Sequence, residues 1–578
     1  MRSRAETEEV SAELRRELEQ PPLWMYPWGI GAAGAPIHSD ALPEIHAARL
    51  AMMEAAVREV LDAAERPTVI DLACNEGWFS HRLLEWGAEK VVGIDIREVN
   101  VRRAKLIAEH LGIGEDRLEF RVGDVYDLDF AEHDTFDVVL LLGLIYHVED
   151  PVRAVRIARG LSGRLCVIES QLTRQAAPVA WGRGPGHTEF APASFAAYPE
   201  PDAEVNPVAS EAGVLSLIPN AEAVREMARA AGFSATEQVA PGPTGHSYYL
   251  AGDRGLFCAW TSERPTPPVP SPARPPAPPP TLSMREPRLG LHTAISLSRR
   301  IRSRRRVSSQ LEDELAADPP WMYPWRFGAA TAPIHHEMLA SVHRTRAEMI
   351  EAPVREALAA AATLSDPTPS TSPPSDPASR RPRAIDLACN EGWFSHRLLE
   401  WGAESVLGVD IREVNIRRAR LVARELGLDR PGLEFRQSDV FDLRPEQLGR
   451  FDVVFLLGLI YHVEDPAGTL RIARAMTRSL CVIDTQLTRQ VEPLPWTAQD
   501  GAESGSFALQ IEKDSAVNPL ASSTGRMSLI PNRAAVEEMA IAAGFDEVEM
   551  LTPPPLADIQ YQADDRGVFI ARVNSPEA

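Results

Sequence analysis

Six acidic residues stand where a carboxylate could hold a small ligand: Asp71, Asp95 and Asp124, then Asp386, Asp410 and Asp439. Each ends or follows a short apolar run, such as Val91-Val-Gly-Ile before Asp95. A carboxylate at the end of a second strand suits a ribose diol, and one near the end of a third suits an adenine amino group. Between Asp71 and the next helix the chain reads Leu-Ala-Cys-Asn-Glu-Gly, so Ala73, Asn75 and Gly77 keep that turn small. The second set repeats it with Ala388, Asn390 and Gly392. A dinucleotide would ask for a G-x-G-x-x-G turn, so that backbone N–H groups can approach its pyrophosphate. Only Gly77 of such a set is present, so a ligand without phosphate fits better.

Elements must present these residues at one edge. Val69 to Phe79 reads as a buried strand, a tight turn and a helix start. Val91 to Asp95 is a second strand, 99 to 111 a helix with one apolar face, and Leu118 to Val122 a third strand. Phe136 to Leu142 is apolar after Asp137, as a strand covered on both faces should be. Asp150 and Pro151 suit the cap and first turn of the next helix. Leu165 to Ile168 is a fifth strand, and 172 to 215 reads as irregular. A helix runs from Asn220 to a glycine stop at Gly232, and Tyr248–Leu250 with Gly255–Trp260 is expected as a closing hairpin. The whole passage recurs, so the chain is a duplication. The fold class is α/β: two tandem doubly wound (Rossmann-like) domains, each with a mostly parallel seven-stranded sheet.

The copies divide as 1–262 and 285–578, joined by a Pro-rich linker at 263–284. Residues 265–280 hold ten prolines, which stay extended and act as a semi-rigid spacer. The second copy carries a Ser/Pro-rich insertion near 365–382, expected to be disordered. The stretches 174–205 and 489–517 differ most between copies; they are expected to cover the site mouths and admit different substrates. Trp24-Met-Tyr-Pro-Trp28, repeated at 321–325, is expected as a packing clamp.

A formal charge of −22 disfavours nucleic acid as a partner, except at 285–306, where eight arginines meet one acid. The five cysteines sit on or beside predicted buried strands and read as core residues rather than disulfides or metal ligands. No metal is expected. The apolar runs are too short to span a bilayer and no signal core opens the chain, so a cytoplasmic protein with no membrane contact is expected.

Taken in order, Asp71-Leu-Ala-Cys-Asn-Glu-Gly77, Gly93-Ile-Asp95, Gly123-Asp-Val125 and Leu141 to Pro151 resemble the motifs of the class I S-adenosylmethionine-dependent methyltransferases. Ala73 and Asn75 stand where glycines are usual in that family. The stretch around Ile145-Tyr-His-Val-Glu-Asp-Pro151 resembles the subset near the wobble-uridine tRNA carboxymethyltransferases. The resemblance implies S-adenosyl-L-methionine as cofactor, held by Asp71, Ala73, Asn75, Gly77, Asp95 and Asp124 and by Asp386, Ala388, Asn390, Gly392, Asp410 and Asp439. It also implies that Tyr146, His147, Tyr461 and His462 lie where the methyl points, as catalytic candidates. Glu169 and Gln171, matched by Asp484 and Gln486, either face the acceptor or satisfy the strand end.

The expected function is methyl transfer by two duplicated domains to a small-molecule or peptide acceptor. A tRNA wobble-uridine (carboxy)methyltransferase is the alternative, as is a chain with one copy serving as a donor-binding scaffold. A dehydrogenase is disfavoured by the missing glycines.

Overall fold

The computed structural model describes residues 10–19, 23–30, 35–37, 39, 41–128, 135–174, 177–179, 189–199, 215–243, 245–262, 307–317, 320–327, 330–334, 337–363, 381–428, 432–489, 505–511 and 527–574. The proline-rich linker, the basic stretch 285–306 and the insertion up to residue 380 lie outside them.

Among the described residues of the first copy, Ala177–Val179 and Glu189–Ala191 form a separate two-stranded ribbon, and nine further strands make the larger sheets: β1 (Thr68–Leu72), β2 (Lys90–Asp95), β3 (Leu118–Val122), β4 (Phe136–Leu142), β5 (Ser162–Gln171), β6 (Ser194–Pro199), β7 (Leu215–Pro219), β8 (Ala235–Gln238) and β9 (Arg254–Trp260). Seven form one sheet in the order β8-β9-β5-β4-β1-β2-β3. The pairings from β3 to β5 are parallel, while β9 runs antiparallel to β5 and β8 antiparallel to β9. The second copy repeats this with β10 (Arg383–Leu387), β11 (Ser405–Asp410), β12 (Leu433–Gln437), β13 (Phe451–Leu457), β14 (Thr477–Gln486), β15 (Ser506–Ile511), β16 (Met527–Pro531), β17 (Glu547–Met550) and β18 (Arg566–Arg572). Its seven-stranded sheet has the order β17-β18-β14-β13-β10-β11-β12. The strand order reverses between β1 and β4, which opens a crevice at their carboxyl ends.

Local chemistry sets the helix ends. The Asp150 carboxylate accepts the Arg153 N–H ahead of the helix Pro151–Leu161, and Asn220 caps the helix Ala221–Ala231 by accepting from Ala223 N. Gly232 stops that helix at φ 96°. The closing hairpin is corrected. Ser247–Ala251 is a short helix capped by His246, and β9 pairs with β8 instead. Apolar residues at 248–250 suggested a strand, but Gly252 in the left-handed conformation ends a helical turn there. All five cysteines are buried thiols outside any disulfide.

The region 172–215, expected to be irregular, contains β6 and the start of β7. β6 pairs with β7 on one edge and with β15 of the other copy on its second edge. A four-stranded sheet, β16-β15-β6-β7, therefore joins the two halves. The apolar core on that side is continuous: Phe195, Leu217 and Met227 belong to the same buried cluster as Phe507, Leu529 and Met539. On the opposite side of its seven-stranded sheet each half keeps a separate core, built around Trp24 and Phe79 in one and Trp321 and Phe394 in the other. Among the described residues no helix is long and apolar enough to cross a membrane.

Candidate functional site

The turn after β1 takes an uncommon path. Ala73, Asn75 and Gly77 all hold left-handed backbones, at φ 59°, 52° and 74°, and Ala388, Asn390 and Gly392 repeat them at 60°, 52° and 78°. An alanine there costs roughly 1–2 kcal/mol, so the surrounding bonds must over-determine the turn. Asp95 supplies them. One of its oxygens accepts the Asn75 N–H at 2.8 Å; the other accepts from Arg97 N and Asn100 Nδ2, both at 3.0 Å. Asp410 makes the same three bonds to Asn390, Arg412 and Asn415. A carboxylate has about four acceptor sites, so one remains unused by these donors. Burial raises both carboxyl pKa values, against the pull of these donors.

Asp71 sits deeper, 2% exposed, and accepts from Ser80 Oγ at 2.6 Å; Asp386 does so from Ser395. Burial pushes both acids up to about 7. They brace the turn from below. Gly77 is needed for packing as well as conformation, because a Cβ there would collide with the ring of Phe120. Asp124 and Asp439 lie beyond β3 and β12, where each accepts the N–H two residues on and starts a single helical turn.

The aromatic clamp closes over this turn. Met25 N donates to Glu76 Oε1 at 3.1 Å, and Tyr26 stacks on Trp78 with centroids 5.6 Å apart. Arg103, fully buried, lies 4.5 Å from the Trp24 ring and reaches Glu17 and Glu76. The second copy matches through Met322, Glu391 and Arg418. Glu76 was not singled out as a site residue in the sequence, although it lies inside the repeated motif.

At the ends of β4 and β5 a charged cluster is buried. Glu169, with no exposed surface, accepts from Tyr249 Oη and Arg254 Nε at 2.7 Å each, and pairs with Arg49 Nη2 at 2.9 Å. Arg254 Nη2 donates to the Tyr146 hydroxyl at 2.9 Å. Burial alone would raise Glu169, but Arg254 and Arg49 outweigh it and hold it down to about 2. Asp484 takes the same place with Arg346, Arg566 and Tyr561, and Arg566 reaches Tyr461 Oη at 3.2 Å. Burial would raise the Tyr461 phenol too, but Arg566 and His462 draw it below its ordinary value. A side chain at Gly143, where β4 ends, would meet Arg49 Nη2 and Tyr146 Oη at 3.6 Å, so both converge on that turn.

His147 packs on Tyr146 at 4.2 Å, and His462 on Tyr461 at 4.1 Å. Gln171 and Gln486 sit at the strand ends, paired in register with Arg254 and Arg566. The fold thus gathers Tyr146, His147 and Glu169 at one end of the sheet with the Asp95 turn. Arg49, Arg254 and Tyr249 were not anticipated. Their counterparts Arg346, Arg566 and Tyr561 repeat in the sequence, and an arginine kept in an apolar context was the available signal. Among the described residues no group of three or more metal-ligating side chains is present.

Two stretches, 64–178 and 379–523, match a family described as "Methyltransferase domain". The ubiquinone biosynthesis O-methyltransferase of Bordetella avium (strain 197N) is 32% identical over 96 residues, and that of Acinetobacter baylyi is 30% identical over 96. These matches cover 17% of this chain and 38% and 39% of the relatives, well short of their full length. The solved N-terminal domain of EvdMO1, described with SAH and D-fucose, is 24% identical, with a TM-score of 0.33 over 46% of this chain and 98% of that one. Magnesium protoporphyrin IX methyltransferase from Synechocystis PCC 6803 is 15% identical, with a TM-score of 0.27 over 43% of this chain and 94% of that one. Each of the two stretches that match the methyltransferase-domain family falls on one of the two seven-stranded sheets.

Proposed function

We propose that both copies bind S-adenosyl-L-methionine and transfer its methyl group to a small-molecule or peptide acceptor. The observation that carries this is the carboxylate of Asp95, and of Asp410, fastened beneath a left-handed turn with one acceptor site left for a sugar hydroxyl. In this reading Asp124 and Asp439 take the adenine amino group and the backbone around Ala73, Asn75 and Gly77 takes the methionine end, with their counterparts in the second copy. In the reaction the acceptor's lone pair forms a bond to the methyl carbon while the carbon–sulfonium bond breaks. The electron pair stays on sulfur and S-adenosylhomocysteine (SAH) leaves. Holding the reactants in line supplies roughly 7–11 kcal/mol, whereas a general base adds about 10²–10⁴-fold. Positioning is therefore the main task, with Tyr146 and His147, and Tyr461 and His462, lining the transfer end. Calorimetric titration with S-adenosylmethionine tests this: two sites per chain are expected, and the absence of binding overturns it.

A second reading, a donor or acceptor bearing a further carboxylate as in the wobble-uridine (carboxy)methyltransferases, draws support from the buried cluster. Among the described residues Arg49 and Arg254 pair with a single carboxylate, Glu169, which leaves an excess of one positive charge in that group beside Tyr146. In the second copy Arg346 Nε has no hydrogen-bond partner among the described residues. Buried charge is costly without a partner, so an anionic ligand would relieve the site. Stronger binding of a carboxylated donor than of S-adenosylmethionine itself would favour this reading.

A further inference from the structure

The contact between the copies is isologous. Arg156 pairs with Glu464, and Arg471 pairs with Glu149. These are the same two positions of the repeat, exchanged. Ala197 N donates to Gly505 O at 2.8 Å, and Leu509 N donates to Ala193 O at 2.9 Å, again exchanged positions. A self-complementary surface of this kind is what a two-fold dimer uses, here within one chain.

The shared sheet also touches both transfer ends, through β16 against Ile460–His462 in the second copy and through β6 and β7 in the first. Tyr146 packs in a buried cluster with Ala196 of β6 and Ile218 of β7, with Tyr198 against it. Leu217 N donates to Val148 O at 3.2 Å, one residue past His147. Without the other copy, β6 and β7 would be a two-stranded ribbon with an open edge, and such ribbons are marginal in water. Two strands become four only when the copies meet.

We propose that each copy supplies a positioning strand for the other's transfer site: β15 holds β6 over Tyr146 and His147, and β6 holds β15 over the matching turn of the second copy. The two transfer ends are then one body, and Leu509 and Ala197 are positioning residues acting across the copies. That Tyr146 faces an acceptor rests on the function proposed above, whereas the coupling of the strands stands on the geometry alone.

The test is a substitution in one copy read out in the other, in the full chain. Leu509→Pro removes the N–H that serves Ala193, whereas Leu509→Val keeps it. With Leu509→Pro, amide hydrogen exchange in Ser194–Pro199 and Leu215–Pro219 should accelerate at least tenfold, with β1 and β4 unchanged. Binding of SAH to the first copy, isolated by Asp410→Asn, should move less than twofold. Leu509→Val should leave exchange as it was. Unchanged protection of the first copy's strands in Leu509→Pro overturns the proposal, as does equal acceleration by Leu509→Val. If Leu509→Pro does not fold, Arg156→Glu should accelerate the same exchange and Arg156→Glu with Glu464→Arg should restore it; failure of the pair to restore protection also overturns it. Absence of SAH binding in both copies removes the functional reading, while the exchange result still decides the coupling.

Discussion

Phe195 of the first copy lies directly opposite Phe507 of the second in the strand pairing that joins the halves, and both side chains are buried. They are the same position of the repeat. A residue can face its own counterpart only on a two-fold axis, so the duplication has internalised a symmetric interface.

Two acids lie near that axis. Burial raises the carboxyl pKa values of Asp150 and Asp465, and the proximity of Asp465 raises Asp150 further. Glu464, Arg153, Arg471 and Tyr126 also face them. Raised acids bind more protons folded than unfolded, so stability falls as pH rises above the unfolded value of about 4. A chain cut within its proline-rich linker should keep its halves together more firmly at pH 5 than at pH 8. Sedimentation at the two values checks it, and equal or reversed association would contradict the assignment.

Asp95→Asn should weaken S-adenosylmethionine binding at the first copy and leave the second intact, and Asp410→Asn should do the reverse. Each loses an acceptor on a charge-assisted bond worth about 1.5–3 kcal/mol, a roughly ten- to hundredfold effect before the turn itself relaxes. Titration should show one site at its original affinity and one weakened by that factor.

Glu169→Gln leaves Arg49 and Arg254 buried against a neutral amide. Breaking a buried pair in this way costs about 3–5 kcal/mol. A loss of that size in the unfolding free energy, read from urea titration, is expected. In the wild type the depressed carboxyl of Glu169, at about 2, contributes stability that is complete above the unfolded value of about 4 and fades as pH falls toward 2. The variant should lose that acid-side dependence.

Ala73→Gly and Gly77→Ala should act in opposite directions. Glycine at Ala73 relieves left-handed strain of roughly 1–2 kcal/mol and adds about 0.5–1 kcal/mol of chain entropy, so a small gain in melting temperature is expected. Alanine at Gly77 adds the strain and drives its methyl into Phe120, so a loss of 2 kcal/mol or more on the order of a core overpacking is expected. Thermal melts of both variants decide it.

The sequence alone determined the two sheets, because strands buried on both faces read as apolar runs and the turn after β1 repeats residue for residue. It also determined the caps at Asp150 and Asn220, where a side chain and its backbone partner lie three residues apart. It placed Asp95, Asp124, Tyr146 and His147 at strand ends, since that needs only the local period. The tertiary structure decided what depends on distant parts of the chain. Arg49 and Arg254 meet Glu169 from segments more than eighty residues away on either side, and no local pattern records such a meeting. Tyr249 escaped because an apolar triplet fits a strand and a helical turn equally well. The joining of β6 to β15 was hidden for the same reason: edge pairing is made by backbone groups, which every sequence supplies alike.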